Sequence, residues 1–436
     1  MHTSTDRPDR RAKVGHRKSR RGCKTCKARR VKCDETHPVC GSCIRLALDC
    51  PWPETMASRP TPSPDPTASL SSRTTDTGEL PTPGESPASA QLDRYSALLR
   101  AQPGLDMYPL ATDSEDLHMP ESKERRLLEH RLMQNYLQYL VQPFPVSPGK
   151  EWQHLLSHIV PRLALTNDNL LYALLTVSAS HLLLTEPDDM ELFRARQSYL
   201  VLATREQRKM VARLSADTAD AVCFAALLLC ISSFVAMGER SLVPYGPPLD
   251  YFQIGRGAGT VFWLSIEAAI KSENFENLSI YVIAKSYPRF GEDQSYFSPL
   301  MRRDFEGVLT QALPSGEAWD DVTRDAYEKA LSYVGSIQNA IRLGEPTYAV
   351  CRRIQAFPLL IPSKFIAFLE EQRPRALVVL AHFFATAAQV HGVWWLREDA
   401  EGSESIAKRE IRAISKVLPA QWQPLLVWPL DMVGLG

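Results

Sequence analysis

Arg20–Cys50 reads RRGCKTCKARRVKCDETHPVCGSCIRLALDC and carries six of the chain's nine cysteines. They fall as Cys23-x2-Cys26-x6-Cys33-x6-Cys40-x2-Cys43-x6-Cys50, the pattern C-x2-C-x6-C written twice. A C-x2-C pair lets two thiolates reach one metal ion from a tight turn, and a third cysteine returns after a short helix. The spacing therefore predicts two zinc ions. Six thiolates cannot give two tetrahedral ions four separate ligands each, so two sulfurs must be shared. Such a cluster carries a formal charge of about −2. The Lys and Arg packed between its first three cysteines offset that charge and favour the thiolate form. A segment this short has no apolar core, so metal binding supplies its folding free energy.

Basic charge is concentrated at this end. Residues 1–50 hold fourteen Lys and Arg against five acids, which is +9; the whole chain is neutral, so the remainder carries −9. A basic head on an acidic body points to a polyanion partner for the head alone. The opening MHTSTDRPDRRAKVGHRKSRR has no apolar core and does not read as a secretory signal. The longest uncharged apolar run, AVCFAALLLCISSFVAM over Ala221–Met237, is shorter than a membrane-spanning helix. It predicts a buried central helix and no membrane span. A soluble protein of a reducing compartment follows, where clustered cysteines are metal ligands rather than disulfides.

The head resembles the fungal binuclear zinc-cluster transcription factors, the Zn2Cys6 group that places a short helix in the DNA major groove. All six cysteines and Pro38, two residues before Cys40, carry the likeness. The resemblance implies that Cys23 and Cys40 bridge two Zn2+ ions and that Cys26, Cys33, Cys43 and Cys50 are terminal ligands. It also implies base contacts from the third and fourth residues after the second cysteine, here Arg29 and Arg30. Arginine is suited to two-pronged hydrogen bonds with guanine, so double-stranded DNA with a CGG-like half-site is the expected partner. Lys24, Lys27, Lys32, Arg20 and Arg21 are expected on phosphates. Arg17, Lys18, Arg20 and Arg21 form a basic arm read as a phosphate contact, a nuclear import signal or a solvated tail. The competing reading of the head is a zinc-stapled protein-binding knuckle without DNA contact.

The texture changes after Cys50. Residues 51–120 hold twelve prolines and seventeen Ser and Thr, with ten acids against four bases. TPSPDP and PTPGESP break any helical or strand period, and the composition predicts a disordered linker. Thr61, Ser63, Thr82 and Ser86 each precede proline, open to proline-directed phosphorylation or simply part of a linker. Met107–Leu110 with the acids that follow has the composition of a weak activation segment or of a lead-in to the next domain. PWPETMASRPTPSPDP forbids the heptad coiled coil that many zinc-cluster factors place after the sixth cysteine. The chain is thus expected to bind one half-site or to dimerise through its body.

From Ser122 the pattern turns helical. SKERRLLEHRLMQNYLQYL opens on a serine cap and puts Leu128, Leu132, Tyr136, Tyr139 and Leu140 on one face. Further helices are expected over Asn167–Leu184 after an Asn or Asp cap, over Phe193–Leu214 and over Asp217–Met237. Later ones are expected near 261–286, 299–312, 320–343, 363–371, 373–397 and 403–418. The expected organisation is a basic arm at 1–19, the zinc-cluster domain at 20–53, the linker at 54–120 and an all-α body of about ten helices at 121–436. Leu170–Leu182, Ala221–Leu228, Arg375–His382, Trp394–Leu396, Trp422, Trp428 and Pro429 look like the regulatory domain of the same factors, the sterol-uptake branch most of all. That likeness implies regulation by the body and a hydrophobic ligand within it.

Enzyme patterns fail. Gly255–Thr260, GRGAGT, lacks the Lys-Ser/Thr ending and the preceding strand of a phosphate loop, and reads as a turn or a close helix contact. His154 and His158 stand at i, i+4 without the glutamate of a zinc protease between them, and read as surface or capping residues. Cys223 and Cys230 read as core. No nucleophile, base and oxyanion site assembles. The expected function is a nuclear, sequence-specific regulator of RNA polymerase II transcription, an activator acting with the transcription machinery, set over a fungal biosynthetic gene cluster. The alternative is a sterol- or lipid-responsive regulator of sterol homeostasis. A small-molecule receptor with a secondary zinc head, and an enzyme, are the rivals from other classes.

Overall fold

The computed structural model describes residues 23–29, 31, 33, 43, 121–145, 148–271, 279–290, 294–312, 319–396 and 404–436. The chain divides into two compact units, Met1–Pro81 and Thr82–Gly436. In the first, one short helix, α1, spans Lys24–Ala28. Among the described residues the second is helical throughout, without a strand.

The second unit opens with α2, Lys123–Asn135, whose Ser122 Oγ accepts the Arg125 N–H at 3.1 Å as the sequence predicts. Its last turn widens to a π-turn over Tyr136–Leu140. The wider turn rotates the register. Leu132, Tyr136 and Leu140 stay buried, while Tyr139, expected on the same face, is 54% exposed and stacks on His181. α3 (Lys150–His154), a second π-turn (Leu155–Ile159) and α4 (Val160–Ala164) follow. His154 and His158 stack on each other across that π-turn at the surface.

α5 (Asp168–Thr185), α6 (Met190–Val211) and α7 (Ala216–Ala236) are the first long helices. Asn167 is the α5 cap residue, but its side chain donates back to Leu163 O instead of capping. Asp189 caps α6, and Ser215 with Thr218 forms a reciprocal cap on α7. α7 is long and apolar enough to cross a membrane by length and composition. Here it is wrapped by protein, with Ala221–Ala226, Leu229, Cys230, Phe234 and Val235 buried. It threads two cores. Ala221–Cys230 packs with Tyr136, Leu170, Val177 and Val261, and Phe234 and Val235 enter the larger core of the C-terminal helices.

α8 (Leu249–Ile270) begins twelve residues before the helix expected near 261–286, and α9 (Ser279–Ala284) is separate from it. GRGAGT lies inside α8 and is not a turn. A Cβ on Gly255 would meet Pro358 Cβ at 2.8 Å, and one on Gly259 would meet Leu359 Cδ2 at 2.5 Å. The glycines let α8 cross α12 (Thr347–Leu360) closely, which is the helix-contact half of the sequence reading. α12 itself was not expected from the sequence. The helix expected near 299–312 is a 3₁₀ turn, Pro299–Phe305, followed by α10, Glu306–Thr310. α11 (Asp321–Arg342), α13 (Ser363–Glu370), α14 (Pro374–Ala387) and α15 (Ile406–Val417) fall where expected, although α14 stops ten residues short of 397 and a 3₁₀ turn at Trp394–Leu396 follows it. The chain closes with a 3₁₀ turn, Ala420–Leu426, and α16, Val427–Met432. Arg240, in the loop after α7, grips buried Glu410 of α15 with two hydrogen bonds of 2.9 and 2.6 Å, tying the halves of the body together. Cys223, Cys230 and Cys351 are buried, and burial pushes each thiol up.

Candidate metal centre and nucleic-acid face

α1 organises the head. Cys23 stands at its N-cap, and its Sγ accepts the Cys26 N–H at 3.3 Å. The C-x2-C spacing places the second cysteine one helical turn further on, so both sulfurs face the same side. The backbone closes that turn through Lys27 N–H to Cys23 O, Arg29 N–H to Thr25 O and Val31 N–H to Cys26 O, each at 3.1 Å. The Cys23 N–H donates to Cys33 Sγ at 3.5 Å.

Cys43, from the second half of the repeat, closes the group. Its Sγ lies 3.7 Å from Cys23 Sγ and 4.0 Å from Cys26 Sγ. A disulfide would need about 2.05 Å. Two thiolates on one tetrahedral zinc, at about 2.3 Å each, stand about 3.8 Å apart. The three sulfurs of Cys23, Cys26 and Cys43 all lie within 4.8 Å of one another and are fully buried. Cys33 is also buried. This donor set fits zinc: soft, convergent, shielded from water and supplied with backbone N–H groups that stabilise thiolate charge. Cys23 touches each of the other three described cysteines.

The outward side is cationic. Lys24, Lys27, Ala28, Arg29 and Val31 are exposed, while the thiols point inward. One turn and a half of helix thus separates a buried thiol cluster from an exposed row of ammonium and guanidinium groups. That face can meet a phosphate backbone and present Arg29 to a groove. Of the predicted site residues, the structure brings Cys23, Cys26, Cys33 and Cys43 together and exposes Lys24, Lys27 and Arg29. Cys40, Cys50, Arg20, Arg21, Arg30 and Lys32 lie outside the described residues, as do the basic arm and the linker. The two backbone N–H donors to sulfur were not part of the sequence reading; no residue type announces them, only the spacing.

Comparison with known proteins places two segments of the chain in known families. Residues 21–56 match the fungal Zn(2)-Cys(6) binuclear cluster domain, and residues 131–244 match the fungal specific transcription factor domain. The chain is 30% identical to the Zn(2)-C6 fungal-type transcription factor afumD of Aspergillus fumigatus, over 86% of this chain and 86% of that protein. It is 28% identical to a Zn(2)-C6 fungal-type transcription factor of Gibberella zeae, over 96% of this chain and 86% of the relative. Sterol uptake control protein 2 of Candida albicans is 71% identical, but over 35 residues, 8% of this chain. The likeness to sterol-uptake regulators found by comparison is thus confined to the short cluster region.

Proposed function

We propose, on the premise that this chain belongs to the fungal Zn(2)-C6 transcription factors and is a DNA-binding regulator of transcription, that it reads a CGG-like half-site in the nucleus and controls RNA polymerase II genes. The observation that carries this reading is the buried thiol cluster beneath an exposed Lys24, Lys27 and Arg29. In this reading Cys23, Cys26, Cys33, Cys40, Cys43 and Cys50 hold two zinc ions, with Cys23 and Cys40 shared. When bound, zinc neutralises the thiolates and closes the loops of the head. α1 then presents Arg29 and Arg30 to base edges, with Lys24, Lys27, Lys32, Arg20 and Arg21 on phosphates.

The helical body regulates, and we assign it an effector-binding role and no catalysis. We place activation of a biosynthetic gene cluster ahead of sterol homeostasis, because the likeness to sterol-uptake regulators covers 8% of the chain. Selection from a random DNA pool with the zinc-loaded full chain tests the reading. Enrichment of CGG-like sites supports it, and a fixed spacing between two such sites adds dimerisation through the body. A pool that stays unenriched sinks it.

A further inference from the structure

A cavity of about 90 Å³ lies between α7, α8, α9 and α12. Its walls are apolar, with Leu227, Ala258, Phe262, Ile283 and Phe290 around it. One charged group lines it: Arg352 of α12. The guanidinium caps the end of α9, with Nη1 donating to Ser286 O at 2.6 Å and Tyr287 O at 3.2 Å and Nη2 to Ile283 O at 3.1 Å. Burial holds its pKa down to about 10. Among the described residues no carboxylate stands within ion-pair distance of it, unlike Arg196, Arg240 and Arg353, each paired with a glutamate. A guanidinium has five N–H donors, of which three are used here, and the Nε–H makes no hydrogen bond to the described residues. Arg352 thus brings spare N–H donors and a positive charge, answered among the described residues by backbone carbonyls and no carboxylate, to an apolar cavity.

We infer that this cavity binds a small aromatic carboxylic acid, its carboxylate on the Arg352 guanidinium and its ring against Leu227, Phe262 and Ile283. Size supports the choice. At about 10–15 Å³ per water, the pocket has room for roughly six to nine water-sized groups, which suits a single small ring such as that of benzoate. Chemistry supports it as well: a planar carboxylate matches the guanidinium fork, and a ring matches walls that are apolar apart from Arg352, Gln355 and the Cys230 thiol. The inference rests on the effector-binding reading of the body and gives that effector a chemical class.

The test is thermal unfolding of the zinc-loaded full chain against benzoate and its neutral analogue benzamide. Benzoate is expected to raise the melting temperature saturably, with a dissociation constant on the order of 1 mM or tighter, the affinity ordinary for a ligand of this size; benzamide is expected to do nothing. Arg352→Gln removes the charge and should abolish the response. Because that change also uncaps α9, Ala356→Phe is the second variant: it fills the cavity from α12 with Arg352 in place and should abolish the response too. No benzoate response in the unaltered chain, an equal response to benzamide, or a full response in Ala356→Phe would each overturn the inference. CGG-duplex binding by the same preparations separates the claims, since its loss falls on the DNA-reading function and not on the cavity.

Discussion

His382 makes acid stability of the body a calculable quantity. The imidazole lies in α14 and is 8% exposed. Its Nε2 is 3.1 Å from Leu425 O, so the neutral ring donates there. Nδ1 is buried without a hydrogen-bond partner among the described residues. Phe305 meets the ring edge-on at 5.1 Å and Trp428 stacks on it at 5.4 Å. Protonation would put a charge and a new N–H donor into this apolar sandwich, and burial accordingly lowers the pKa from 6.5 to about 4. The unfolded chain therefore binds a proton that the folded chain refuses between pH 6.5 and 4. Stability is full above pH 6.5 and falls as pH drops to 4, by about 1.4 kcal/mol per unit and about 3 kcal/mol in all. Urea unfolding followed by tryptophan fluorescence, at steps from pH 7 to 4, measures this. His382→Gln keeps a donor for Leu425 O and cannot titrate, so its curve should be flatter than that of the unaltered protein by that amount. Parallel curves for the two proteins would refute the argument.

Gly335→Ala should lower the melting temperature of the body by about 2–4 °C. The new Cβ would meet a backbone atom, the Met301 carbonyl oxygen, and such overpacking at about 1–3 kcal/mol exceeds the roughly 1 kcal/mol gained in helix propensity. Cys23→Ser should cut bound zinc, counted by metal analysis of the purified chain, more than Cys26→Ser does, because in the proposed reading Cys23 serves both ions and Cys26 only one; equal losses would contradict its shared position. Arg29→Ala should relax preference at one guanine at a cost of about 1–3 kcal/mol, while Lys27→Ala should weaken all duplexes alike and reduce the slope of log affinity against log salt by about 1. Titrations of matched and mismatched duplexes at several salt concentrations distinguish the two.

The head was legible because cysteine spacing encodes its geometry almost directly. A ligand set at fixed intervals leaves few ways to converge, and Cys23, Cys26 and Cys43 do converge. The long helices were legible from caps such as Ser122 and from apolar runs such as α7. α12 was missed because Arg352, Arg353 and Pro358 interrupt its apolar period; Pro358 is accommodated in the last turn, where it packs under Gly255. The start of α8 was missed because GRGAGT carries poor helix formers, and only the partner helix explains them. Tyr139 was misplaced because a π-turn leaves no composition signal. The Arg352 cavity joins residues more than a hundred positions apart, which no local pattern records.

The central claim is that the zinc-cluster head reads sequence. It is tested most directly by the affinity of the zinc-loaded full chain, at one fixed salt concentration, for a duplex containing CGG and for the same duplex with those three base pairs scrambled. Each wrong base pair costs about 1–3 kcal/mol, so the account predicts a preference of at least about a hundredfold. Equal affinity for the two duplexes, with both lost alike as salt rises, would show a head that only neutralises phosphate and would contradict the account.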